Sequence, residues 1–138
     1  MTYRQIWDNH PYPGFPCDKS IHKNQCAVRM GIALEGAGVS LKSFMGQRCW
    51  SGHEPSHILR AEELARWIAT QKAIFGSVVK CVGKGKASSA DFARKSGIVF
   101  IKDGWGAGDH IDVWDGFTFK AGDASWFGLG RQVWFWRL

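Results

Sequence analysis

The chain has 138 residues, 45% of them hydrophobic, with eight Trp and nine Phe. This length and content suffice for one domain with a hydrophobic core and exclude an intrinsically disordered chain. The net charge of +6 favours an anionic partner such as a nucleic acid, a cell-wall polymer or an acidic protein surface. The basic residues are scattered, apart from Lys80, Lys84 and Lys86, and no aromatic-basic RNA-binding motif is present. Nucleic acid is therefore not the expected partner.

The N-terminal residues, the absence of long apolar stretches and the absence of linkers in the sequence predict one domain without a membrane span. Residues 1–8 contain no apolar h-region, and no stretch approaches the roughly 18 apolar residues of a membrane span. We therefore expect a protein made in the cytoplasm without a signal peptide and without a membrane span. Because no internal repeat or low-complexity linker divides the sequence, a single domain over residues 1–138 is predicted.

The first half of the sequence predicts an irregular start followed by a helix. Residues 10–17 contain three prolines and a glycine, a composition that excludes both a helix interior and a central strand. The apolar positions of Cys26–Glu35 recur at helical spacing, and Asn24 can cap this helix. Glycines in segment 36–38 end it, and a loop rich in Gly and Ser follows through about Pro55.

The second half predicts one more long helix and then strands. Residues Ala61–Ala69 are strong helix formers with an apolar face, and Ser88–Asp91 resembles a capping box before a short helix through Lys95. Asp115-Gly116 is a hairpin signal. The predicted strands are 98–101, 110–114, 117–119 and 132–136. Helices followed by an antiparallel sheet define an α+β fold.

Three patterns invite functional interpretations that physical arguments disfavour. His53-Glu54-Pro55-Ser56-His57 matches a zinc-protease signature in letters, but Pro55 would break the helix that must present both histidines. The segment 83–87 lacks the spacing of a phosphate-binding loop. Trp134-Phe135-Trp136 can form either an exposed carbohydrate platform or a buried edge strand, and we favour the strand. No metal and no cofactor is therefore predicted.

The four cysteines contain no C-x-x-C pair, which argues against a structural zinc site; they are Cys17, Cys26, Cys49 and Cys81. If Cys26 is a free nucleophile, the other three can supply one disulfide. We expect the pair Cys17 and Cys49, which only an oxidising destination would keep joined.

Cys26 is either a small buried hydrophobe or a nucleophile. It lies in the first turn of the predicted helix, where unpaired N–H groups and the helix dipole favour thiolate over thiol. His110 is the best candidate for its base, because alternation in Gly108–Trp114 places His110 and Asp112 on one strand face and the apolar residues on the other. A third group should orient the imidazole, and Asp123, Asp112 and Asp115 are all candidates.

Four blocks of the sequence share features with one family of proteins; they are residues 24–34, 49–50, 57–65 and 108–116. In this order they resemble the fourth family of type VI secretion amidase effectors. The family belongs to the papain-like NlpC class of cell-wall peptidases, in which a helix bearing the nucleophile packs on an antiparallel sheet bearing the histidine. This implied fold agrees with the α+β arrangement predicted above.

The resemblance implies cleavage of the peptide stem of Gram-negative peptidoglycan, at the amide between γ-D-glutamate and meso-diaminopimelate. It also implies a Cys-His-Asp triad, with Cys26 as nucleophile and His110 as base. The family places the aspartate shortly after the Trp-Asp-Gly turn, so Asp123 is preferred over Asp112.

Other site residues are expected around the nucleophile. The backbone N–H of Cys26 is the first candidate donor to the oxyanion, and the Asn24 or Gln25 side chain can supply a second, although Asn24 can equally cap the helix. Arg29 and Asp109 are candidates for reading the charged groups of the substrate.

The resemblance further implies delivery by the type VI secretion apparatus into the periplasm of a recipient cell, and a cognate immunity protein that blocks the active site. Two other functions are compatible with the residues alone. One is a phage-type endolysin amidase, and the other is a non-catalytic module that binds the cell wall.

Overall fold

The computed structural model describes residues 1–49 and 56–138. Four α-helices come first: α1 (Tyr3–Asn9), α2 (Cys26–Gly36), α3 (Ala61–Thr70) and α4 (Lys72–Phe75). Four strands follow: β1 (Val79–Val82), β2 (Gly97–Trp105), β3 (Gly108–Trp114) and β4 (Gln132–Arg137). Two 3-10 helices lie among the strands, at Ser89–Phe92 and Ala124–Gly128. The predicted α+β fold is confirmed.

The strands form one antiparallel sheet in the order β1-β4-β2-β3. Ile98, Phe100, Ile111 and Val113 belong to the core on the helical side of the sheet. Because side chains alternate along a strand, the neighbours of these residues face the other way, into a second cluster covered by the 3-10 helices. Since β3 is the edge strand and packs against α1, α2 and α3, residues preceding α2 can approach its side chains.

Three sequence predictions about elements are wrong. Residues 1–9 are not irregular, because Thr2 and Gln5 form a capping box that starts α1. Residues 117–119 form no strand, since Asp115 accepts the Phe117 and Thr118 N–H groups in a turn and only an isolated bridge joins Trp114 to Phe119. Segment 134–136 is buried as expected, but it lies between two strands rather than at the edge.

Gly97 allows the closest approach between β2 and β4. A Cβ atom at this position would overlap the backbone carbonyl oxygen of Trp136 on the paired strand. We therefore expect Gly97→Ala to lower the free energy of unfolding by about 3 kcal/mol or more, because backbone must move where β2 begins to pair with both β3 and β4. Urea denaturation measures the effect. Gly104→Ala, whose Cβ would make only ordinary contacts in the same strand, is the matched control and should change stability little. Equal stability of the two variants would contradict the expectation.

Within the described part of the chain, none of the helices has the length and apolar character needed to cross a membrane.

Candidate active site

The start of α2 carries the candidate nucleophile. Cys26 is only 5% exposed, yet it lines a cleft between α2, α3 and the turn before β3. Its thiol faces the carbonyl oxygen of Asp109, at 3.9 Å from Sγ, and Cys26 is close enough to His110 to contribute to the raised pKa of that imidazole. The sequence-predicted pair of thiol and imidazole is therefore brought together by α2 and β3.

His110 is held by a buried carboxylate. Its Nε2 lies 2.9 Å from Oδ2 of Asp112, and Cys26 is the other group that acts on its protonation. Burial alone would lower the pKa of His110, but the hydrogen bonds to Asp112 and Cys26 raise it to about 9. The imidazolium thus persists at neutral pH, which suits a group that must deliver a proton.

An aromatic wall surrounds this imidazole, with ring-centroid distances of 4.9 to 6.2 Å; its members are Trp105, Phe119 and Trp126. Gly122 closes the remaining side. A Cβ there would lie 2.7 Å from the Trp126 ring and 3.1 Å from Nε2 of His110, so only glycine leaves the imidazole room at this point. The sequence carries no local signal that places Gly122 or Trp126 in the site, because both come from a loop whose course is not predicted by a sequence pattern.

The carboxylate against His110 is that of Asp112, which is completely buried. Its Oδ1 accepts the Val113 N–H at 2.8 Å, and its Oδ2 accepts the Ala121 N–H at 3.0 Å beside His110. Backbone donors from two segments therefore fix the orientation of the group that orients the imidazole.

The preference for Asp123 as the third member of the triad is corrected by this geometry. Asp123 is exposed and caps the second 3-10 helix, because its Oδ1 accepts hydrogen bonds from the backbone N–H and the hydroxyl of Ser125. The loop after Phe119 brings the N–H of Ala121 to the site and turns the Asp123 carboxylate away from it. Asp115 is likewise occupied in its own turn.

The cleft beside Cys26 has a volume of about 580 Å³ and carries charges of both signs. Its charged lining residues are Arg60, Glu62, Glu63, Arg66 and Asp109. Glu62 is paired with Arg66 and with Lys102, whose hydrogen bonds lower its pKa. Burial raises the pKa of Asp109, although its Oδ1 accepts the Asp103 N–H at 2.8 Å.

A family model described as type VI secretion system (T6SS) amidase effector protein 4, Tae4, matches residues 22–136. The chain belongs to the Tae4 family. It is therefore an amidase effector of the type VI secretion system. No curated protein matches the sequence significantly.

Solved Tae4 structures share the fold. The Tae4–Tai4 effector-immunity complex from Enterobacter cloacae has a TM-score of 0.76 at 19% identity, covering 99% of this chain and 98% of that chain. The corresponding complex from Salmonella Typhimurium has a TM-score of 0.74 at 16% identity, covering 99% and 97%. Tae4 alone from Enterobacter cloacae gives 0.73 at 18% identity, covering 99% and 96%.

Gln25 and Asn24 of this Tae4 family member are engaged in structural bonds. The Gln25 side chain is buried and donates to the carbonyl oxygens of Cys17 and His22, at 2.8 and 3.0 Å, while its Oε1 accepts the Cys17 N–H at 3.1 Å. Because its amide is fully used, the expectation that Gln25 supplies an oxyanion donor is wrong for this arrangement. Asn24 Oδ1 accepts the Cys26 N–H at 3.2 Å, so substrate must displace Asn24 if that N–H is to serve the oxyanion.

Of the two residues expected to read substrate charge, only Asp109 lines the cleft. Arg29 is directed elsewhere: its Nε donates to the Gly14 carbonyl, and its guanidinium lies over the Tyr12 and Phe15 rings. Its charge holds the segment before α2 rather than facing the thiol.

The expected disulfide partners are neighbours in the structure. The sulfurs of Cys17 and Cys49 and a ring nitrogen of His57 all lie within 4.8 Å of one another, a set that can also hold a metal ion. His57 donates its backbone N–H to Cys49 Sγ at 3.1 Å. Of the zinc-like pattern 53–57, residues 53–55 lie outside the described residues.

Proposed function

We propose that this protein is a single cell-wall amidase domain, spanning residues 1–138, that hydrolyses the amide between γ-D-glutamate and meso-diaminopimelate in peptidoglycan stems. The observation that carries the chemistry is the placement of Cys26 beside the segment Asp109–His110, with Nε2 of His110 held by the buried Asp112. Membership of an amidase family supports the reaction class. The bond itself rests on the resemblance of the sequence blocks.

The proposed reaction is acyl transfer through a thioester. The Cys26 thiolate attacks the γ-glutamyl carbonyl carbon, and the C–N bond breaks as His110 gives its proton to the departing amine. Neutral His110 then takes one proton from water, whose oxygen attacks the thioester carbonyl carbon. The C–S bond breaks, which releases the carboxylic acid and regenerates the Cys26 thiolate beside protonated His110. The nearest backbone donor for the oxyanion is the N–H of Cys26, once substrate displaces the Asn24 side chain.

The charges of the cleft suit a zwitterionic stem peptide. Arg60 lines the cleft as a cation that can bind a carboxylate, whereas Asp109 and Glu63 can bind the free amine of diaminopimelate. Glu62 is already neutralised by two basic partners. We assign Asp109 to substrate recognition because it combines a carboxylate in the cleft with a carbonyl that faces the thiol.

The partners follow from the family and from charge. Tae4 relatives have been solved in complex with the immunity protein Tai4. We infer a cognate immunity protein with an acidic surface, because this chain carries a net charge of +6. It would cover the cleft when a sister cell delivers the effector. We infer that the type VI secretion apparatus delivers the protein into the periplasm of a recipient Gram-negative cell, where its proposed peptidoglycan substrate lies.

Purified sacculi test the proposed function directly. Incubation with the protein should release products ending in γ-D-glutamate, together with fragments that carry a new free amine on diaminopimelate, and liquid chromatography with mass spectrometry identifies both. A wall-binding module would sediment with sacculi and release nothing. Cleavage at another bond would overturn the substrate assignment. To distinguish a phage-type endolysin, the cognate immunity protein is added, which should abolish the digestion.

The pair Cys17 and Cys49 is proposed to become a disulfide after delivery. The two thiols lose two protons and two electrons to a disulfide oxidant of the recipient's periplasm. Treatment with oxidised glutathione should lower the intact mass by two hydrogens, and proteolysis should yield one crosslinked peptide pair, which Cys17→Ser removes. Cys81→Ser should leave that pair unchanged. Mixed glutathione adducts without the crosslink would contradict the pairing, and added Zn²⁺ that blocks oxidation would identify a metal site instead.

A further inference from the structure

His10 lies next to the proposed triad although it comes from the opposite end of the sequence. It follows α1 directly and is 4% exposed. Its Nδ1 accepts the backbone N–H of Tyr12 at 3.2 Å, so in the neutral ring the proton belongs on Nε2. Burial lowers the pKa of His10 to about 4, against the opposing effect of Asp112, and the ring is therefore neutral at pH 7.

The Nε2 atom of His10 is buried and has no hydrogen-bond partner among the described residues. It lies 3.8 Å from Oδ1 of Asp112, and both side chains are completely buried. The Asp112 carboxylate accepts one backbone N–H at Oδ1, whereas Oδ2 accepts a backbone N–H and contacts His110. The Oδ1 atom thus has a free lone pair on the side that His10 faces.

A buried N–H donor facing a buried carboxylate is an arrangement that either closes into a hydrogen bond or holds a bridging water. Both outcomes add a donor to Oδ1. Such a donor restrains rotation of the carboxylate about its Cβ–Cγ bond, and so holds Oδ2 against His110. Asp112 favours protonation of His10, whereas Lys120, Arg29 and His110 each lower its pKa.

We propose that His10 is a positioning residue whose Nε2–H faces Oδ1 of Asp112 and keeps that carboxylate aligned on His110. His10 touches neither the thiol nor the substrate in this role. The effect of His10 on catalysis rests on the proposed function. Its effect on the alignment of Asp112, His110 and Cys26 does not depend on that function. The other interpretation is that His10 only fills space between α1 and β3.

Two substitutions separate these interpretations. His10→Leu removes the donor, whereas His10→Gln retains an N–H at a similar distance from the backbone. The substrate-free readout is the rate at which iodoacetamide alkylates Cys26 at pH 7, followed by mass spectrometry of the Cys26 peptide, because thiolate formation depends on an aligned His110. The second readout is kcat and KM on purified muropeptides, and the third is Tm.

We expect His10→Leu to slow Cys26 alkylation and to lower kcat by about tenfold each, the size of one charge-assisted hydrogen bond, with KM unchanged. His10→Gln should recover both to within about threefold of the wild-type values. Ile6→Val, in the buried face of α1, is the control for destabilisation of the same segment and should leave both rates unchanged.

Equal losses in His10→Leu and His10→Gln that follow the fall in Tm would overturn the proposal in favour of packing. Wild-type alkylation and kcat in His10→Leu would overturn it as well. If the wild-type protein fails to digest sacculi or muropeptides, the proposed function fails. The alkylation rates of the two variants still decide whether His10 positions Asp112.

Discussion

Replacing Cys26 by Ala is expected to lower the release of muropeptides from sacculi by about 10⁴-fold or more, while leaving the protein folded. Without the sulfur no covalent acyl intermediate can form, and His110 has no thiol to deprotonate. The cleft and its charges remain, so the variant should still sediment with sacculi. Chromatography of the soluble products measures the loss, and thermal unfolding confirms the fold.

The matched control is Cys81→Ala. Cys81 lies on β1, the edge strand opposite β3, and is only partly buried. We expect it to retain full activity, which excludes a general effect of removing a thiol. Release of equal product by Cys26→Ala and wild type would mean that Cys26 is not the nucleophile, whatever the family.

Asp112→Asn is expected to lower kcat by about 10³- to 10⁴-fold, with a smaller change in KM. An amide keeps the volume but removes the negative charge that stabilises the His110 imidazolium, and its NH₂ group favours the wrong ring tautomer. Asp123→Asn should change kcat by less than about threefold, since that carboxylate is exposed and, among the described residues, its hydrogen bonds are with Ser125.

Steady-state kinetics on purified muropeptides compares the two asparagine variants, and Tm shows whether each is folded. If the buried substitution prevents folding, the His110 chemistry is tested instead through His110→Ala, which should slow Cys26 alkylation at pH 7. A large loss in Asp123→Asn beside an active Asp112→Asn would restore Asp123 as the third residue. In that case the loop after Phe119 would have to rearrange when substrate binds.

The second and third helices and the central strands were predictable from the sequence because each carries a complete local signal, whereas α1 and α4 were not predicted. The second and third helices have apolar residues at helical spacing. The first half of β2 and most of β4 are buried runs of β-branched and aromatic residues, and β3 alternates polar with apolar residues. The strand β1 has no such signal. Val79 and Val82 are exposed, and the segment becomes a strand only because β4 offers it a partner.

Site residues that lie on one strand were predictable from the sequence, whereas those whose position depends on a loop were not. Alternation along β3 placed His110 and Asp112 on one face, and that inference agrees with their 2.9 Å contact. The choice of Asp123 depended instead on the course of a loop. The environment of Gln25 depended on how the segment before α2 folds back. The spacing of residue types in the sequence predicts neither this path nor the course of the loop before Asp123.

The Gln25 amide has a consequence for the long connection between α1 and α2. By bonding both the N–H and the carbonyl of Cys17, it pins the middle of that connection to the start of α2. The connection is thereby divided into two shorter closed loops, and much of its conformational entropy is removed in the folded state. The prolines of segment 10–16 restrict the first of these loops further. Local unfolding that releases Gln25 would therefore free His10 and the first turn of α2 in one step, so the nucleophile and the groups behind its base should lose order together.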